Sequence, residues 1–340
     1  MRNIIKYEKT LVKAEKIWYI VYNYRFWEIF MEKQKIIFDV DPGVDDCMAL
    51  IMAFYEPTID VQMISTTFGN VSCEQTTKNA LFIVQNYADK DYSVYKGASR
   101  GLNSPIHNAE EVHGRTGLGN KIIAENVTKQ VANKPGYGAI EAMRDVILKN
   151  PNEVILVAVG PVTNVANLFN TYPETIDKLK GLVLMVGSID GKGSITPYAS
   201  FNAYCDPDAI QVVLDKAKKL PIIVSTKENG TTCYFEDDQR ERFAKCGKLG
   251  PLFYDLCDGY VDKILLPGQY ALHDTCALFS ILQDEEFFTR EKVSMKINTT
   301  FDEKRAQTKF RKCQSSNITL LTGVDKQKVM KRIEKILKRT

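Results

Sequence analysis

Four aspartates that lie close together are the residues of this sequence most able to do chemistry. Asp39, Asp41, Asp45 and Asp46 fall within one short segment, and apolar residues flank that segment on both sides. Carboxylates are poor core residues, and a cluster of them repels itself unless a cation neutralises the charge. Hard divalent cations prefer oxygen ligands. The cluster therefore predicts a divalent metal site where a buried strand ends.

The residues around the cluster predict how it is positioned. Pro42-Gly43 favours a tight turn after the apolar strand Lys35–Asp39, and the apolar residues that follow Asp46 suit a helix. Asp45 and Asp46 would then lie near the positive end of that helix. Capping and turn chemistry could explain one or two of the aspartates, but not four between apolar runs.

Further along the chain, strand-length apolar runs alternate with helix-length segments. The predicted strands are Lys35–Asp39, Val61–Thr66, Glu153–Val159, Leu182–Val186 and Pro221–Ser225, and the predicted helices include Gln75–Tyr87, Gly138–Lys149, Asp206–Lys218 and Asp325–Thr340. This alternation is typical of an α/β fold with a doubly wound, mostly parallel central sheet flanked by helices. Ligands bind beyond the carboxyl ends of the strands in such sheets, where Asp41, Asn70, Val159 and Ser188 fall.

Length and pattern predict one domain over residues 34–340, preceded by an extension, residues 1–33, to which the sequence assigns no role. Met31 directly precedes the first strand and could be the start of translation. The aromatic stretch Ile17–Met31 is too short and too polar to span a bilayer. Segment Phe235–Pro267 has the weakest pattern, and we expect helices there that cover the site.

Composition gives expectations about the binding partners of the protein and the state of its cysteines. The net charge is +3, from 45 basic and 42 acidic residues, which gives no electrostatic reason to expect nucleic-acid binding. The eight cysteines form no C-x-x-C pair. We therefore expect reduced thiols in a cytoplasmic protein, with no membrane partner.

The segment DVDPGVDDCMAL resembles the signature of the nucleoside hydrolases, the inosine-uridine-preferring family of calcium-dependent N-ribohydrolases. Six further segments follow in the family's order: TTFGN (66–70), VHGRTGLG (112–119), LVAVGPVTNVA (156–166), LVLMVGS (182–188), SFNAYCDPDA (200–209) and LHDTCAL (272–278). The resemblance thus extends over nearly all of the chain after the extension. It implies a homodimer or homotetramer that hydrolyses ribonucleosides to ribose and a free base.

The resemblance also implies a metal centre. By position, Asp41, Asp46, Asp274 and the main-chain carbonyl of Val159 correspond to ligands of Ca²⁺. Asp41 would also accept a proton from the attacking water. Asp39 corresponds to a structural residue.

The remaining correspondences concern the substrate. The resemblance places Asp45, Asn70, Asn202 and Asp274 at the ribose, and Met185 beside it, although Met185 could equally be an ordinary core residue. His273 corresponds to the acid that assists the departing base; a histidine at this position could also be purely structural. Imidazole titrates near neutrality, which suits the catalytic alternative.

Two positions depart from the family's pattern. Ser194 and Ser200 stand where inosine-uridine hydrolases carry an asparagine and a glutamate that contact the ribose 5′-hydroxyl. The shorter side chains predict a weaker hold on that hydroxyl. The substrate base and the 5′ preference therefore stay open, as do two alternatives: a non-catalytic nucleoside-binding homologue and a metal-dependent phosphohydrolase.

Overall fold

The computed structural model describes residues 33–262, 264–283 and 285–340. Nearly all of the predicted N-terminal extension, including Ile17–Met31, lies outside these ranges. No helix in the described part of the chain is long and apolar enough to cross a membrane.

Strands and helices alternate along the chain. The strands are β1 Gln34–Val40, β2 Ile59–Thr66, β3 Val94–Lys96, β4 Val154–Ala158, β5 Gly181–Met185, β6 Ile222–Ser225, β7 Tyr234–Glu236, β8 Gln269–Ala271, β9 Phe288–Ile297, β10 Thr308–Lys312 and β11 Ile318–Val324. The helices are α1 Val44–Tyr55, α2 Cys73–Tyr87, α3 Glu110–His113, α4 Ala139–Lys149, α5 Thr163–Thr171, α6 Phe201–Cys205, α7 Pro207–Lys216, α8 Lys227–Thr232, α9 Asp237–Ala244, α10 Gly250–Leu256, α11 His273–Phe279 and α12 Lys326–Leu337.

Within the described residues, nine strands form one sheet in the order β10-β9-β11-β6-β5-β4-β1-β2-β3. Neighbours from β11 to β3 pair in parallel, whereas β9 pairs antiparallel with both β11 and β10. The predicted doubly wound, mostly parallel α/β fold is confirmed. The antiparallel edge formed by β9 and β10 was not predicted.

The alternation of side chains in β1 shows why helices cover both faces. Ile36 and Phe38 pack into one core with α1 and α12, and Ile37 packs into a second core with α4, α5 and α7. All three side chains are fully buried. Successive side chains of a strand point to opposite faces, so a strand that is apolar at every position must be covered on both.

The strand order positions the site. From β3 to β6 the order is 3-2-1-4-5-6, so the direction of winding reverses between β1 and β4. A crevice opens at such a reversal, beyond the carboxyl ends of the strands. The chain leaves β1 at Val40 and enters α1 at Val44, so Asp41 and Asp45 line this crevice and Asp46 lies buried next to them.

The weakly patterned segment Phe235–Pro267 contains α9 and α10, as expected in part. The portion that reaches the crevice is however not helical. Tyr260 and Asp262, in the loop after α10, line the cavity.

Candidate active site

A cavity occupies the crevice, and most of the residues assigned to the site from sequence lie in its wall. Asp41, Asp45, Asn70, Val159, Met185, Asn202, His273 and Asp274 line it. Asp46 is fully buried beneath them. The fold thus brings together residues that come from widely separated parts of the chain.

Three carboxylates are close enough to hold one cation. Asp45, Asp46 and Asp274 each offer an oxygen, and these oxygens lie within 4.8 Å of one another. Asp46 and Asp274 belong to the ligand set that the sequence indicates, whereas the third member of this group is Asp45 rather than Asp41. A donor set made only of carboxylate oxygens fits a hard divalent cation.

Asp41 is held between two close stretches of backbone. Its Oδ2 accepts a hydrogen bond from the Asn70 backbone N–H at 2.8 Å, and its own N–H donates to Asp46 Oδ1 at 3.0 Å. A Cβ atom at residue 69 would lie 2.0 Å from Asp41 Oδ2, and one at residue 160 would lie 2.5 Å from Oδ1. Glycine at both positions is therefore needed for this fit.

Asp46 and Asn70 lock the turn after β1. Asp46 Oδ2 accepts from the Gly43 N–H at 3.0 Å and from Asn70 Nδ2 at 2.9 Å. Asn70 Nδ2 also donates to the Asp41 carbonyl at 3.1 Å. The Asn70 amide therefore fixes two of the clustered aspartates in relation to each other.

Burial and mutual repulsion raise the pKa of these carboxyl groups. Burial, together with the charge of Asp46, raises the pKa of Asp45 to about 7 and that of Asp41 well above its usual range. Burial and the charges of Asp45, Asp46 and Asp41 do the same for Asp274. Ionising all of them at neutral pH needs a positive charge in their midst, and a divalent cation supplies one.

Asp39 lies below the cavity rather than in its wall. Its Oδ1 accepts hydrogen bonds from Ser65 Oγ at 2.6 Å and Asn164 Nδ2 at 2.7 Å. Burial raises its pKa to about 7. These contacts tie β1 to β2 and to α5, which fits the structural role that the sequence indicates.

His273 begins α11 and pairs with a carboxylate. Its Nε2 lies 2.9 Å from Asp262 Oδ2. Burial alone would lower the pKa of His273, but the Asp262 hydrogen bond and the nearby charges more than offset burial, so the pKa is raised. Nδ1 is buried without a hydrogen-bond partner among the described residues. The imidazole is thus poised to carry a proton at the cavity wall.

A second histidine faces the same cavity, and its pKa is shifted in the opposite direction. His113 Nδ1 accepts from the Val44 N–H at 3.1 Å, and its ring stacks on Tyr260 with centroids 5.3 Å apart. Burial, with the charge of His273, lowers the pKa of His113 to about 3. His113 is therefore a neutral aromatic surface at physiological pH.

The opposite side of the cavity is formed by the ends of β4 and β5. Asn202 Nδ2 donates to the Val159 carbonyl, and also to the Met185 carbonyl at 3.0 Å. A carbonyl oxygen has two lone pairs, so that of Val159 retains one for a further partner. Met185 faces the cavity with only 8% of its surface exposed.

Four residues with polar side chains that line the cavity were given no role from the sequence. His113 lies in the quoted motif VHGRTGLG, which was the available signal. Tyr260 and Asp262 lie in a loop without periodic pattern, and Lys227 lies just after β6 among polar residues that match no quoted motif. The last three give no signal until the chain is folded.

The amino-acid sequence matches a known protein family. The family model described as inosine-uridine preferring nucleoside hydrolase matches residues 36–331. The non-specific ribonucleoside hydrolase RihC of Salmonella enteritidis is 34% identical over 252 residues, which cover 74% of this chain and 79% of that protein.

Solved structures share the fold. The plant nucleoside hydrolase PpNRh1 superposes with a TM-score of 0.81 at 23% identity, over 90% of this chain and 99% of that one. The purine-preferring ribonucleoside hydrolase from Gardnerella vaginalis gives a TM-score of 0.79 at 24% identity, over 90% and 100% of the two chains.

Proposed function

The chain belongs to the inosine-uridine preferring nucleoside hydrolase family and is a glycosidase of N-glycosyl compounds, and we propose that it hydrolyses ribonucleosides to ribose and free base with Ca²⁺ as its metal. The observation that carries this proposal is the cluster of buried carboxylates in the cavity at the switch point of the sheet. A set of buried acids with raised pKa values serves no packing purpose.

We assign the metal to Asp46 and Asp274, with Asp41 and the Val159 carbonyl completing the set. Asp46 and Asp274 belong both to the family's ligand positions and to the group whose oxygens lie within 4.8 Å. Asp45, the third member of that group, is assigned to a ribose hydroxyl. When bound, Ca²⁺ would neutralise the carboxylates, offer a site to the 2′,3′-diol and acidify a water.

The chain's own residues then perform the proton transfers. Asp41, fixed by Asn70 and Asp46, accepts the proton of the water that attacks C1′. The carboxylates around the ribose stabilise the positive charge that develops on the sugar as the C1′–N bond breaks. His273 donates a proton to the departing base, and Asp262 holds its imidazole.

Other cavity residues position the substrate. Asn70 and Asn202 present amide groups to the sugar, and Met185 packs beside it. The neutral His113 and the stacked Tyr260 provide a flat aromatic surface of the kind on which a base packs.

A substrate panel tests the proposal. Purified protein with CaCl₂ is incubated separately with inosine, uridine, adenosine and p-nitrophenyl phosphate, and the products are identified by chromatography. Ribose and free base from at least one nucleoside are expected. Binding of nucleosides without turnover would indicate a non-catalytic homologue, and release of p-nitrophenol from the phosphate ester would indicate a phosphohydrolase.

By the same resemblance we propose a cytoplasmic homodimer or homotetramer. Light scattering coupled to gel filtration measures the mass of the particle. A monomer at micromolar concentration would contradict the oligomer.

A further inference from the structure

The cavity contains a lysine that the reaction does not require. Lys227 lies directly after β6, lines the cavity and has only 8% of its surface exposed. Lysine is almost never buried to this degree unless its charge is paired. Its burial therefore indicates a partner of opposite charge, a functional role, or both.

Two carboxylates partner the ammonium group without using all of its donors. Lys227 Nζ lies 3.1 Å from Glu228 Oε1 and 3.8 Å from Asp190 Oδ1. Glu228 is itself anchored, because it accepts from Ser188 Oγ at 2.6 Å and from the Ile189 N–H at 3.1 Å. An ammonium has three N–H donors, so at least one stays available to a ligand in the cavity.

Lys227 and the two departing serines form one wall. The Lys227 N–H donates to the Gly187 carbonyl at 3.2 Å, and the Gly187 N–H donates to Ser200 Oγ at 2.9 Å. Ser194 lies on the loop that leads to Ser200, where its N–H donates to the Ala199 carbonyl at 3.0 Å. Lys227, Ser194 and Ser200 all line the cavity.

This wall lies away from the metal carboxylates, whereas α8, which begins at Lys227, packs against the acid: a Cβ atom at Gly230 would lie 2.0 Å from His273 Nδ1. In the sheet, β6 is three strands from β1, so the backbones after these strands are about 14 Å apart at the usual strand spacing. With the 2′,3′-diol at the carboxylates and C1′ directed towards His273, the remaining substituent of the ribose is C5′. Ser194 and Ser200 stand at the positions that contact the 5′-hydroxyl in the family, so the wall that they form with Lys227 is the surface that receives C5′.

We propose that Lys227 donates a hydrogen bond to the 5′ oxygen of the ribose, so that the enzyme selects ribonucleosides with a free, uncharged 5′-hydroxyl. This inference rests on the proposed function. The serines alone predict weak discrimination at this position, and Lys227 reverses that expectation.

The local charge favours a neutral hydroxyl over a phosphate. Asp190 and Glu228 together outweigh the charge of Lys227, and the nearby aspartates add no positive charge. The net charge of the wall therefore gives a phosphate little electrostatic attraction, whereas a hydroxyl oxygen needs only one N–H donor within hydrogen-bond distance.

The experiment compares kcat/KM for inosine and 5′-deoxyinosine in the wild type and in Lys227→Met, which is also unbranched and is one atom shorter, without the ammonium group. The wild type should prefer inosine by about ten- to a hundredfold, the usual worth of a hydrogen bond from a charged donor. In Lys227→Met this ratio should fall to nearly one, mainly through loss of activity on inosine. Lys129→Met is the matched control, because Lys129 is a largely buried lysine, paired with Asp91, outside the cavity; it should leave the ratio unchanged.

Several outcomes would overturn the inference. A wild-type ratio near one, or an equal ratio in Lys227→Met, would show that Lys227 does not read the 5′ oxygen. A kcat/KM for inosine 5′-monophosphate above that for inosine would show that it reads an anion instead. If Lys227→Met fails to fold, the double variant Lys227→Met/Glu228→Gln also removes one of the two carboxylates that lose their lysine partner. The ratios measured on the wild type need no variant and test the inference by themselves. Failure of the wild type to hydrolyse either nucleoside would overturn the proposed function together with this inference, whereas hydrolysis without 5′ discrimination would overturn the inference alone.

Discussion

Removing divalent cations should destabilise the protein more at pH 7.5 than at pH 5. The folded state raises the pKa of Asp45 from 3.8 to about 7 because the carboxyl group is buried beside Asp46. A raised pKa of an acid means that its protonated form is favoured by folding. Without metal, the contribution of this group to stability is therefore fully present below pH 4 and is lost as the pH rises towards 7.

The size of the effect follows from the same shift. A change of about 3 pKa units corresponds to about 4 kcal/mol for a single group, as an upper limit for a coupled cluster. Calcium should recover part of this loss, because it binds the ionised carboxylates and must displace their protons at low pH. At a hundredfold excess over Kd, calcium stabilises the folded state by about 2.7 kcal/mol, or about 4 °C in Tm for a chain of this size.

The assay is thermal unfolding followed by circular dichroism, with EDTA or with excess CaCl₂, at pH 5 and pH 7.5. The difference between the two samples at each pH isolates the metal site, because groups elsewhere titrate equally in both. Asp145→Asn, a change at a largely exposed carboxylate outside the cavity, is the control and should keep the calcium response. An equal calcium shift at both pH values, or none at pH 7.5, would show that calcium does not bind the ionised carboxylates of this cluster.

Three substitutions extend the test to catalysis. Asp41→Asn should lower kcat for inosine by several orders of magnitude in steady-state assays, because in the proposed mechanism this one side chain both binds the metal and accepts the proton; a loss below tenfold would contradict this. His273→Ala should lower kcat/KM for inosine about a hundred- to ten-thousandfold more than for p-nitrophenyl riboside, whose leaving group needs little protonation; equal losses would make His273 structural. Gly230→Ala should act in the same way as His273→Ala, because a Cβ atom there would lie 2.0 Å from His273 Nδ1 and displace the imidazole; an unchanged rate on inosine would show that the ring need not hold its position.

Much of the fold follows from local pattern. The predicted strand Lys35–Asp39 is part of β1, Gln34–Val40, and the predicted helix Gly138–Lys149 is α4, Ala139–Lys149. Buried parallel strands are short apolar runs, and amphipathic helices have apolar residues at every third or fourth position, so both can be recognised in a single sequence. The antiparallel strand β9 was missed because it lies near the sheet edge, where its pattern FTREKVSMKI mixes charged and apolar residues.

Site residues could be predicted from the sequence where the residue type by itself indicates the chemistry. The aspartates after β1 stood out because clustered acids between apolar runs repel one another unless a cation neutralises them. Asp45, rather than Asp41, belongs with Asp46 and Asp274 to the group whose oxygens lie within 4.8 Å of one another. Which aspartate joins this group depends on the orientation of the side chains after folding, and the spacing of the residues in the sequence does not determine it. Asp262 reaches His273 from a loop without pattern, so its contribution appears only in three dimensions.

Calcium titration into the metal-stripped protein shows whether hydrolysis depends on a bound Ca²⁺. Inosine hydrolysis and calcium binding, the latter by calorimetry, are measured on the same preparation and on Asp46→Asn. We expect no hydrolysis without metal, recovery of hydrolysis in proportion to the binding of one Ca²⁺ per chain, and loss of both binding and hydrolysis in Asp46→Asn. Full hydrolysis by the metal-stripped protein would contradict this expectation.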